Sequence, residues 1–383
     1  MSSVTADRLS PAPVTFVVGH AGLGGAERYL ETLLEAFERQ WVEGVVALAD
    51  GPLVGRLRGH GMDVEVMASP PRFGVLRTVM RLRRTLRKRR SRVVHANGMR
   101  AAALVRLASV GTGVPVVWLK VDLARDGWRA RALARTCASV VGISRASTAT
   151  FGPKANGRIR VVNAAIPPFE VDRSAGRRLV NELVECSVDD QVAVVSGRVC
   201  PGKGQVEMVE VAPRLLQSIP HLFIAILGGE DPFYPGYETE LRRRADQLGI
   251  LDRVRFLGHR SSGVPDATAA VRFLSGCDLL VAPSLRQSGT GWREGFGLVA
   301  AEAMWVGTPV VAYDSGGLTE VVGPCGRVVP EGARGALGEE VVRVLSDGDL
   351  GSAMAECGRQ RVAERFLIER AAREMTAVYM DVA

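Results

Sequence analysis

The sequence contains few aromatic residues, no closely spaced cysteine pair and no long apolar run. Aromatic side chains make up 5% of the 383 residues, too few for the base-stacking platforms that single-strand nucleic-acid binders use. The net charge of +8 suits an anionic partner, but without those platforms we expect no nucleic-acid partner. The six cysteines are scattered and form no C-x-x-C pair, so they indicate neither a zinc site nor a disulfide framework.

Signals for membrane insertion and secretion are also missing. No apolar run approaches the roughly 18 to 20 residues that cross a bilayer. The N-terminus lacks the charged region, apolar stretch and cleavage site of a signal peptide. These absences predict a cytoplasmic protein.

One arginine-rich stretch, RTVMRLRRTLRKRRSR at 77–92, stands out. Leu76, Val79, Leu82 and Leu86 lie at near-helical spacing, which predicts an amphipathic helix with a basic outer face. Such a face is either simply solvated or rests on an anionic membrane surface. The second alternative would make the protein peripheral to the inner face of the membrane.

Two series of short β-branched runs alternate with helical patterns. The first extends from VTFVV at 14–18 to SVVGI at 139–143, and the second from VAVVSG at 192–197 to TPVVAY at 308–313. Such alternation predicts parallel sheets covered on both faces. The fold class is therefore α/β, with two Rossmann-like doubly wound domains facing across an interdomain cleft. We place the boundary in a proline-containing linker, with domains at 1–168 and 169–366.

In such sheets ligands bind outside the carboxyl ends of the strands, and the loop before LVAAEAM carries unusual residues there. Gly295 and Gly297 allow close backbone approach. The amides of Phe296, Gly297 and Leu298 should be free donors at a helix N-terminus, which is an anion site.

Two glutamates flank this predicted anion site. Glu302 lies five residues past Gly297, roughly 7 to 8 Å along the helix. That is about the distance from a diphosphate to its ribose, so the carboxylate could accept both ribose hydroxyls. Glu294, before the helix, could meet hydroxyls of the group on the far phosphate. The alternative is that both glutamates are merely solvated.

The stretch AVVSGRVCPGKGQ at 193–205 nearly forms an ATP-binding loop. Gly197, Gly202 and Lys203 fit its G-x-x-x-x-G-K part, but Gly204 stands where a serine or threonine should hold Mg²⁺. The lysine therefore belongs to a degenerate ATP loop, caps a helix, or serves a different diphosphate. A dinucleotide site for hydride transfer is not predicted, because GLGGAE at 22–27 has glutamate where the G-x-G-x-x-G motif needs its last glycine.

Together these motifs resemble glycosyltransferase family 4, the retaining GT-B transferases that use sugar nucleotides. The stretch E-G-F-G-L-x-x-x-E-A-M-x-x-G-x-P-V-V-A matches the E-x7-E signature of that family. The family also carries G-G-A-E-R after its first strand, here at 24–28, and G-R-x-x-x-x-K-G at the start of its second domain, here at 197–204. The motifs occur in family order between residues 16 and 330.

The resemblance implies a donor site without a metal or any other cofactor. Arg198 and Lys203 would converge on the donor diphosphate and neutralise the leaving group, and with Glu294 they form the catalytic set. The implied donor-binding residues are Gly24, Gly25, Gly197, Arg198, Lys203, Arg260, Glu294, Gly295, Phe296, Gly297, Leu298 and Glu302.

The resemblance also implies that the first domain binds the acceptor, with a last helix at 367–383 crossing back onto it. Here the sequence departs from the family, because Val121 replaces the histidine of T-x-H-D. Lys120 could substitute for that histidine or be a surface lysine. The acceptor-side candidates are His20, His95, Asn97, Lys120 and Asp122, of which His20 could equally be structural.

The implied function is retaining transfer of a hexose-type sugar, with UDP favoured as the nucleotide by family prevalence. The acceptor would be a hydroxyl of a small molecule, such as an aminocyclitol or antibiotic core, or of a glycan, in specialised-metabolite or cell-envelope biosynthesis. Two alternatives remain open: a nucleotide-sugar epimerase of the same fold, and an inactive sugar-nucleotide-binding subunit, which the absent histidine suggests. We expect a monomer or a homodimer.

Overall fold

The computed structural model describes residues 13–67, 74–123, 127–152, 157–258, 267–287 and 291–383. Two parallel sheets carry the fold. The first has the strand order β3-β2-β1-β4-β5-β6-β7. Its strands are β1 Val14–Val18, β2 Val42–Ala47, β3 Val64–Val66, β4 Val93–Asn97, β5 Val116–Lys120, β6 Ser139–Gly142 and β7 Ile159–Val161.

The second sheet has the strand order β10-β9-β8-β11-β12-β13. Its strands are β8 Gln191–Ser196, β9 Leu222–Leu227, β10 Val254–Gly258, β11 Leu279–Ala282, β12 Val310–Tyr313 and β13 Arg327–Val329. Most residues of the central strands are buried on both faces, as expected for apolar, β-branched runs between helices. The predicted α/β class with two parallel sheets is confirmed. We call the parts built on these sheets the N-terminal and C-terminal domains.

Helices connect the strands of both domains. In the N-terminal domain they are α1 Gly25–Ala36, α2 Pro52–Gly59, α3 Gly74–Lys88, α4 Met99–Ala108, α5 Trp128–Thr136 and α6 Arg145–Thr148. From residue 173 onward they are α7 Arg173–Val184, α8 Gln205–Ser218, α9 Tyr237–Gln247, α10 Ala267–Gly276, α11 Leu298–Trp305, α12 Leu318–Val322, α13 Arg334–Ser346, α14 Gly348–Arg365 and α15 Ile368–Val382.

The last helix packs against the N-terminal domain. The backbone of Ile166 bonds to Phe366 and Ile368, at 2.9 Å in both cases, where the chain passes between the domains. Further along α15, the Tyr379 hydroxyl lies 2.7 Å from His95 Nδ1 in β4. The α15 helix therefore closes the N-terminal core.

The arginine-rich stretch forms α3, but its buried face differs from the predicted one. Gly74, Thr78, Leu82 and Leu86 are buried, whereas Leu76 is 70% exposed. Residues 78, 82 and 86 follow one another at intervals of four, while a residue six positions before Leu82 is rotated by about 240° from the buried row. The prediction of Leu76 on the apolar face is therefore wrong.

A disulfide joins Cys325 to Cys357, with 5.2 Å between their Cα atoms. It connects a short 3-10 helix, Gly323–Cys325, to α14. The sequence-based expectation that no disulfide is indicated is therefore wrong for this pair. Folding brings together two cysteines whose sequence separation of 32 carries no recognisable pattern. The four free cysteines include three buried ones, Cys137, Cys200 and Cys277.

Reduction of this disulfide should lower the thermal stability of the protein. For a loop of this length, loop-closure entropy gives a stabilisation of about 3 to 4 kcal/mol, which corresponds to roughly 4 to 5 °C in Tm for a chain of 383 residues. We expect dithiothreitol to lower the Tm of the wild type and to leave that of Cys357→Ala unchanged in scanning fluorimetry. Cys186→Ala, which removes a half-buried free cysteine, should respond like the wild type. An equal response of all three proteins would contradict the assignment.

Candidate functional site

The loop before α11 has the backbone that the sequence predicts. Gly297 caps the helix in the left-handed region, with φ of +102°, and Leu298 begins α11. Within the part of the chain that the structure describes, the amides of Phe296, Gly297 and Leu298 donate to no protein acceptor. The side chain of Phe296 is buried against Phe366, so it anchors the loop. The helix end therefore offers a row of unpaired amides to an anion.

The N-terminus of α1 lies beside the N-terminus of α11. A Cβ atom at Gly25 would lie 3.7 Å from Leu298 Cδ1, so these helix ends from different domains are in contact. Gly24 is the residue before α1, and no side chain caps this helix end. Two positive helix ends thus converge at one place.

Glu302 lies one turn into α11 and is almost fully buried, with 2% of its side chain exposed. Its Oε1 accepts a hydrogen bond from Arg28 of α1, so the pair joins the two domains. Burial raises the pKa of the Glu302 carboxyl, and the guanidinium of Arg28 opposes that shift. The alternative of a merely solvated glutamate does not hold for Glu302.

Lys203 lies at the end of a short 3-10 helix, Pro201–Lys203, between β8 and α8. Its Nζ donates to Glu294 Oε2 at 2.5 Å and lies 5.6 Å from the centre of the Trp292 ring. A Cβ atom at Gly197 would lie 3.4 Å from the Lys203 stem, so the lysine packs against this glycine. The structure brings Gly197, Lys203 and Glu294 together.

The position that differs from an ATP-binding loop cannot hold a side chain. Gly204 has φ of +70°, and a Cβ atom there would lie 1.9 Å from the Pro283 carbonyl oxygen. A serine or threonine hydroxyl could therefore not be placed here without moving the backbone. This contact argues against the degenerate ATP loop.

Arg198 follows Gly197 and is paired with an acidic residue that the sequence analysis missed. Its Nη1 donates to Asp231 Oδ2 at 2.5 Å, and Asp231 is almost fully buried. Asp231 follows β9, and this position after a strand is the feature by which the sequence could have identified it. Arg198, Lys203 and Arg28 thus each hold a carboxylate in this structure.

The N-terminal domain also contacts the loop before α11 and helix α12 through α6. Ser144 Oγ donates to the Gly295 carbonyl oxygen at 2.7 Å. The carboxylate of Glu320, in α12, accepts from the backbone amides of Arg145 and Ala146 at 2.8 and 2.7 Å. Ser144 and Glu320 therefore hold the two domains together.

The acceptor-side candidates occupy different environments. His95 is fully buried beneath α15, and burial lowers its pKa to about 3. It is a neutral core residue, so the structure does not place it on the acceptor side. Asn97 ends β4 and is buried, and its Oδ1 has no partner among the described residues. His20 is exposed just past β1.

Lys120 is not a surface lysine. It is buried, its Nζ donates to the carbonyl oxygen of Asp122, and it lies 3.9 Å from Asp122 Oδ1. The carboxylate of Asp122 is about half exposed. A Cβ atom at Gly295 would lie 2.7 Å from the Val121 carbonyl oxygen. The chain just past β5 therefore contacts the loop before α11. Arg260 lies outside the described residues.

Comparisons with known proteins show which families and structures this chain resembles. The family model described as glycosyl transferases group 1 matches residues 185–361, and a glycosyl transferase 4-like domain matches residues 24–142. A mannosyltransferase of lipopolysaccharide core biosynthesis, LpsB of Rhizobium meliloti, is 30% identical over 56% of this chain and 56% of its own length. The chain thus spans about half the length of this curated relative.

A second relative and a solved structure cover more of the chain. A GDP-mannose-dependent alpha-(1-6)-phosphatidylinositol monomannoside mannosyltransferase of Mycolicibacterium smegmatis is 31% identical over 68% of this chain and 66% of its own length. Anabaena HepE, solved in complex with UDP, has a TM-score of 0.83 and 24% identity over 96% of this chain and 100% of its own. The structural likeness shows a shared fold.

Replacement of Glu320 should loosen the contact between the domains. Glu320→Ala removes two hydrogen bonds to a charged acceptor, worth about 1.5 to 3 kcal/mol each, and Glu320→Gln keeps one acceptor oxygen. We expect small-angle scattering to give the largest radius of gyration for Glu320→Ala and an intermediate value for Glu320→Gln.

Glu331→Ala is the matched control, because Glu331 accepts a hydrogen bond from the backbone amide of Arg286 within the C-terminal domain, at 2.6 Å. It should leave the scattering unchanged. Wild-type scattering from Glu320→Ala would show that this contact does not set the domain arrangement.

Proposed function

Because this chain belongs to the GT4-type glycosyltransferases, the glycosyl transferases group 1, we propose that it transfers a hexose-type sugar from a nucleotide diphosphate sugar to an acceptor hydroxyl, with retention of configuration. The observations that support this most are the pairs that Arg198 and Lys203 form with Asp231 and Glu294 in the C-terminal domain and, between the domains, two contacting helix N-termini beside the Arg28–Glu302 pair. Few ligands other than a diphosphate flanked by hydroxyl-bearing groups need all of these partners.

In this proposal Arg198 and Lys203 face the diphosphate. The bond between the anomeric carbon and the phosphate oxygen breaks while the acceptor oxygen bonds to that carbon on the same face. The acceptor proton passes to a phosphate oxygen of the departing nucleoside diphosphate. The two cations and the amides before α11 stabilise the charge on that leaving group, which is why we propose that no metal is needed.

The two glutamates bind the hydroxyl-bearing ends of the donor. Glu302, one turn into α11, meets the ribose, and Glu294, before the helix, meets the transferred sugar. We keep UDP as the proposed nucleotide, supported by the HepE complexes with UDP and with UDP-glucose. The relatives named as GDP-mannose-dependent make GDP the rival to test.

The acceptor is proposed to be a polyol or glycan hydroxyl. Relatives are named for a lipopolysaccharide core, for phosphatidylinositol monomannoside and for D-inositol 3-phosphate, which favours cell-envelope or inositol-derived acceptors over an antibiotic core. In the N-terminal domain Asp122 and His20 remain accessible for this acceptor.

A test of the function starts with wild-type protein, UDP- and GDP-hexoses and inositol or glycan acceptors. We expect a product with the anomeric configuration of the donor by NMR, formed also in the presence of EDTA. Lys203→Met should lower kcat/KM about 100- to 1000-fold, as loss of one charge-stabilising donor does in other enzymes. Arg242→Met, which breaks an exposed pair with Glu238, is the control and should keep full activity.

Other outcomes would favour the rival functions. An isomerised sugar nucleotide formed without acceptor would indicate an epimerase. Tight donor binding with no turnover on any acceptor would indicate an inactive subunit. A product of inverted configuration would contradict retention.

We also propose that α3 rests on an anionic membrane surface. Its exposed residues include Val75, Leu76 and Met80 as well as Arg77 and Arg81. Apolar and basic side chains on one exposed helix surface suit the boundary between headgroups and acyl chains. Among the described residues no helix is both long and apolar enough to span a bilayer.

Vesicle co-sedimentation tests this surface. Wild-type protein should bind vesicles of phosphatidylcholine with phosphatidylglycerol, and high salt should weaken that binding. Leu76→Glu should weaken it about ten-fold or more, since burial of a leucine is worth about 1.5 to 3 kcal/mol. Val188→Glu, at an equally exposed position (70%) beyond α7, should bind like the wild type. Binding that does not depend on phosphatidylglycerol would count against the proposal.

A further inference from the structure

Arg28 comes from the opposite domain to the other two site cations. Arg198 and Lys203 bond to Asp231 and Glu294 within the C-terminal domain. Arg28, one turn into α1, instead reaches across to Glu302 in α11. The two helix ends touch at Gly25 and Leu298, so Arg28 stands one helical turn from the place where the bare amides converge.

Glu302 needs a partner because it is buried, whereas Arg28 is partly exposed and can exchange one partner for another. Only 2% of the Glu302 side chain is exposed, against 32% for Arg28. Among the described residues Arg28 is the cation bonded to this carboxylate. A buried carboxylate is stable only while charges or hydrogen-bond donors compensate it. Two ribose hydroxyls are such donors, and they would occupy both carboxylate oxygens.

A nucleotide whose ribose bonds to both oxygens of Glu302 competes with Arg28 for a carboxylate that is almost fully buried. The freed guanidinium then lies near two positive helix ends, where Glu27 of α1 is the carboxylate at hand, and a further anion would stabilise this arrangement. The donor diphosphate is that anion, and guanidinium groups bind phosphate oxygens with paired hydrogen bonds.

We propose that Arg28 is a donor-sensing residue: the donor ribose displaces its guanidinium from Glu302, and the guanidinium then binds the donor diphosphate. The donor thereby replaces an ion pair between the domains with a bridge of its own, from α11 through the ribose and diphosphate to α1. This inference rests on the proposed function and adds to it a diphosphate-binding residue from the N-terminal domain.

Calorimetric titration with a nucleoside diphosphate and with its nucleoside tests the exchange. We use UDP with uridine and GDP with guanosine. Arg28→Ala should weaken binding of the diphosphate about 10- to 100-fold and leave binding of the nucleoside unchanged or tighter, because the competitor for Glu302 is gone. Arg28→Lys, which keeps the charge, should restore diphosphate binding to within a few-fold of the wild type.

Arg56→Ala is the matched control. Arg56 bonds to Glu31 of α1 at 2.7 Å, with 31% of the arginine and 4% of the glutamate exposed. The variant therefore removes an arginine of similar exposure from a buried glutamate of the same helix, which His60 also contacts, and should change neither affinity. Arg28→Ala/Glu302→Gln removes the buried charge together with its partner, and serves if Arg28→Ala alone does not fold.

The results separate this inference from the proposed function. Equal weakening of nucleoside and diphosphate binding in Arg28→Ala would mean that Arg28 only positions Glu302, and would overturn the inference alone. Unchanged diphosphate binding would do the same. If the wild type binds neither UDP nor GDP, the proposed function fails, and this inference fails with it.

Discussion

The buried carboxylate of Glu302 is the constraint on which the site depends. A charge with 2% of its side chain exposed carries a desolvation penalty of several kcal/mol, so it must have a partner. That partner, Arg28, belongs to the other domain. The buried charge of Glu302 in the C-terminal domain is therefore compensated only when the N-terminal domain is in place. The contacts of Ser144 and Glu320 around α6 secure the same arrangement through hydrogen bonds to the backbone.

Glycines in the signature segments are explained by backbone approach. Gly204 lies against the Pro283 carbonyl, and Gly295 lies against the Val121 carbonyl of the opposite domain. A side chain at either position would separate elements that must touch. The segment that resembles an ATP-binding loop thus forms a different turn. A serine or threonine cannot replace Gly204 in this turn, because the Pro283 carbonyl occupies the space for its side chain.

The sequence predicts the sheets and the glycine-containing loop before α11 well, because their signals are local. β-branched runs such as VTFVV mark buried strands, and glycines before LVAAEAM mark a helix end, without knowledge of any distant residue. His95 and Asn97 show where local signals stop. Both lie near the end of β4 on the same face, but His95 is two residues deeper and is covered by Tyr379, 284 residues later in the chain. Cys325 with Cys357 and Arg198 with Asp231 were missed for the same reason.

The pairing of every site cation with a carboxylate has a consequence for selectivity. An empty site whose charges are already balanced attracts a free anion less than three unpaired cations would, because an incoming anion must first break existing ion pairs. A ligand that brings hydroxyls for Glu294 and Glu302 as well as phosphates for their cations satisfies both sides of these two pairs at once. Inorganic pyrophosphate has no hydroxyls for Glu294 and Glu302 and would leave both carboxylates uncompensated. Within the proposed function, the ion pairs therefore select for a complete sugar nucleotide over its anionic fragment.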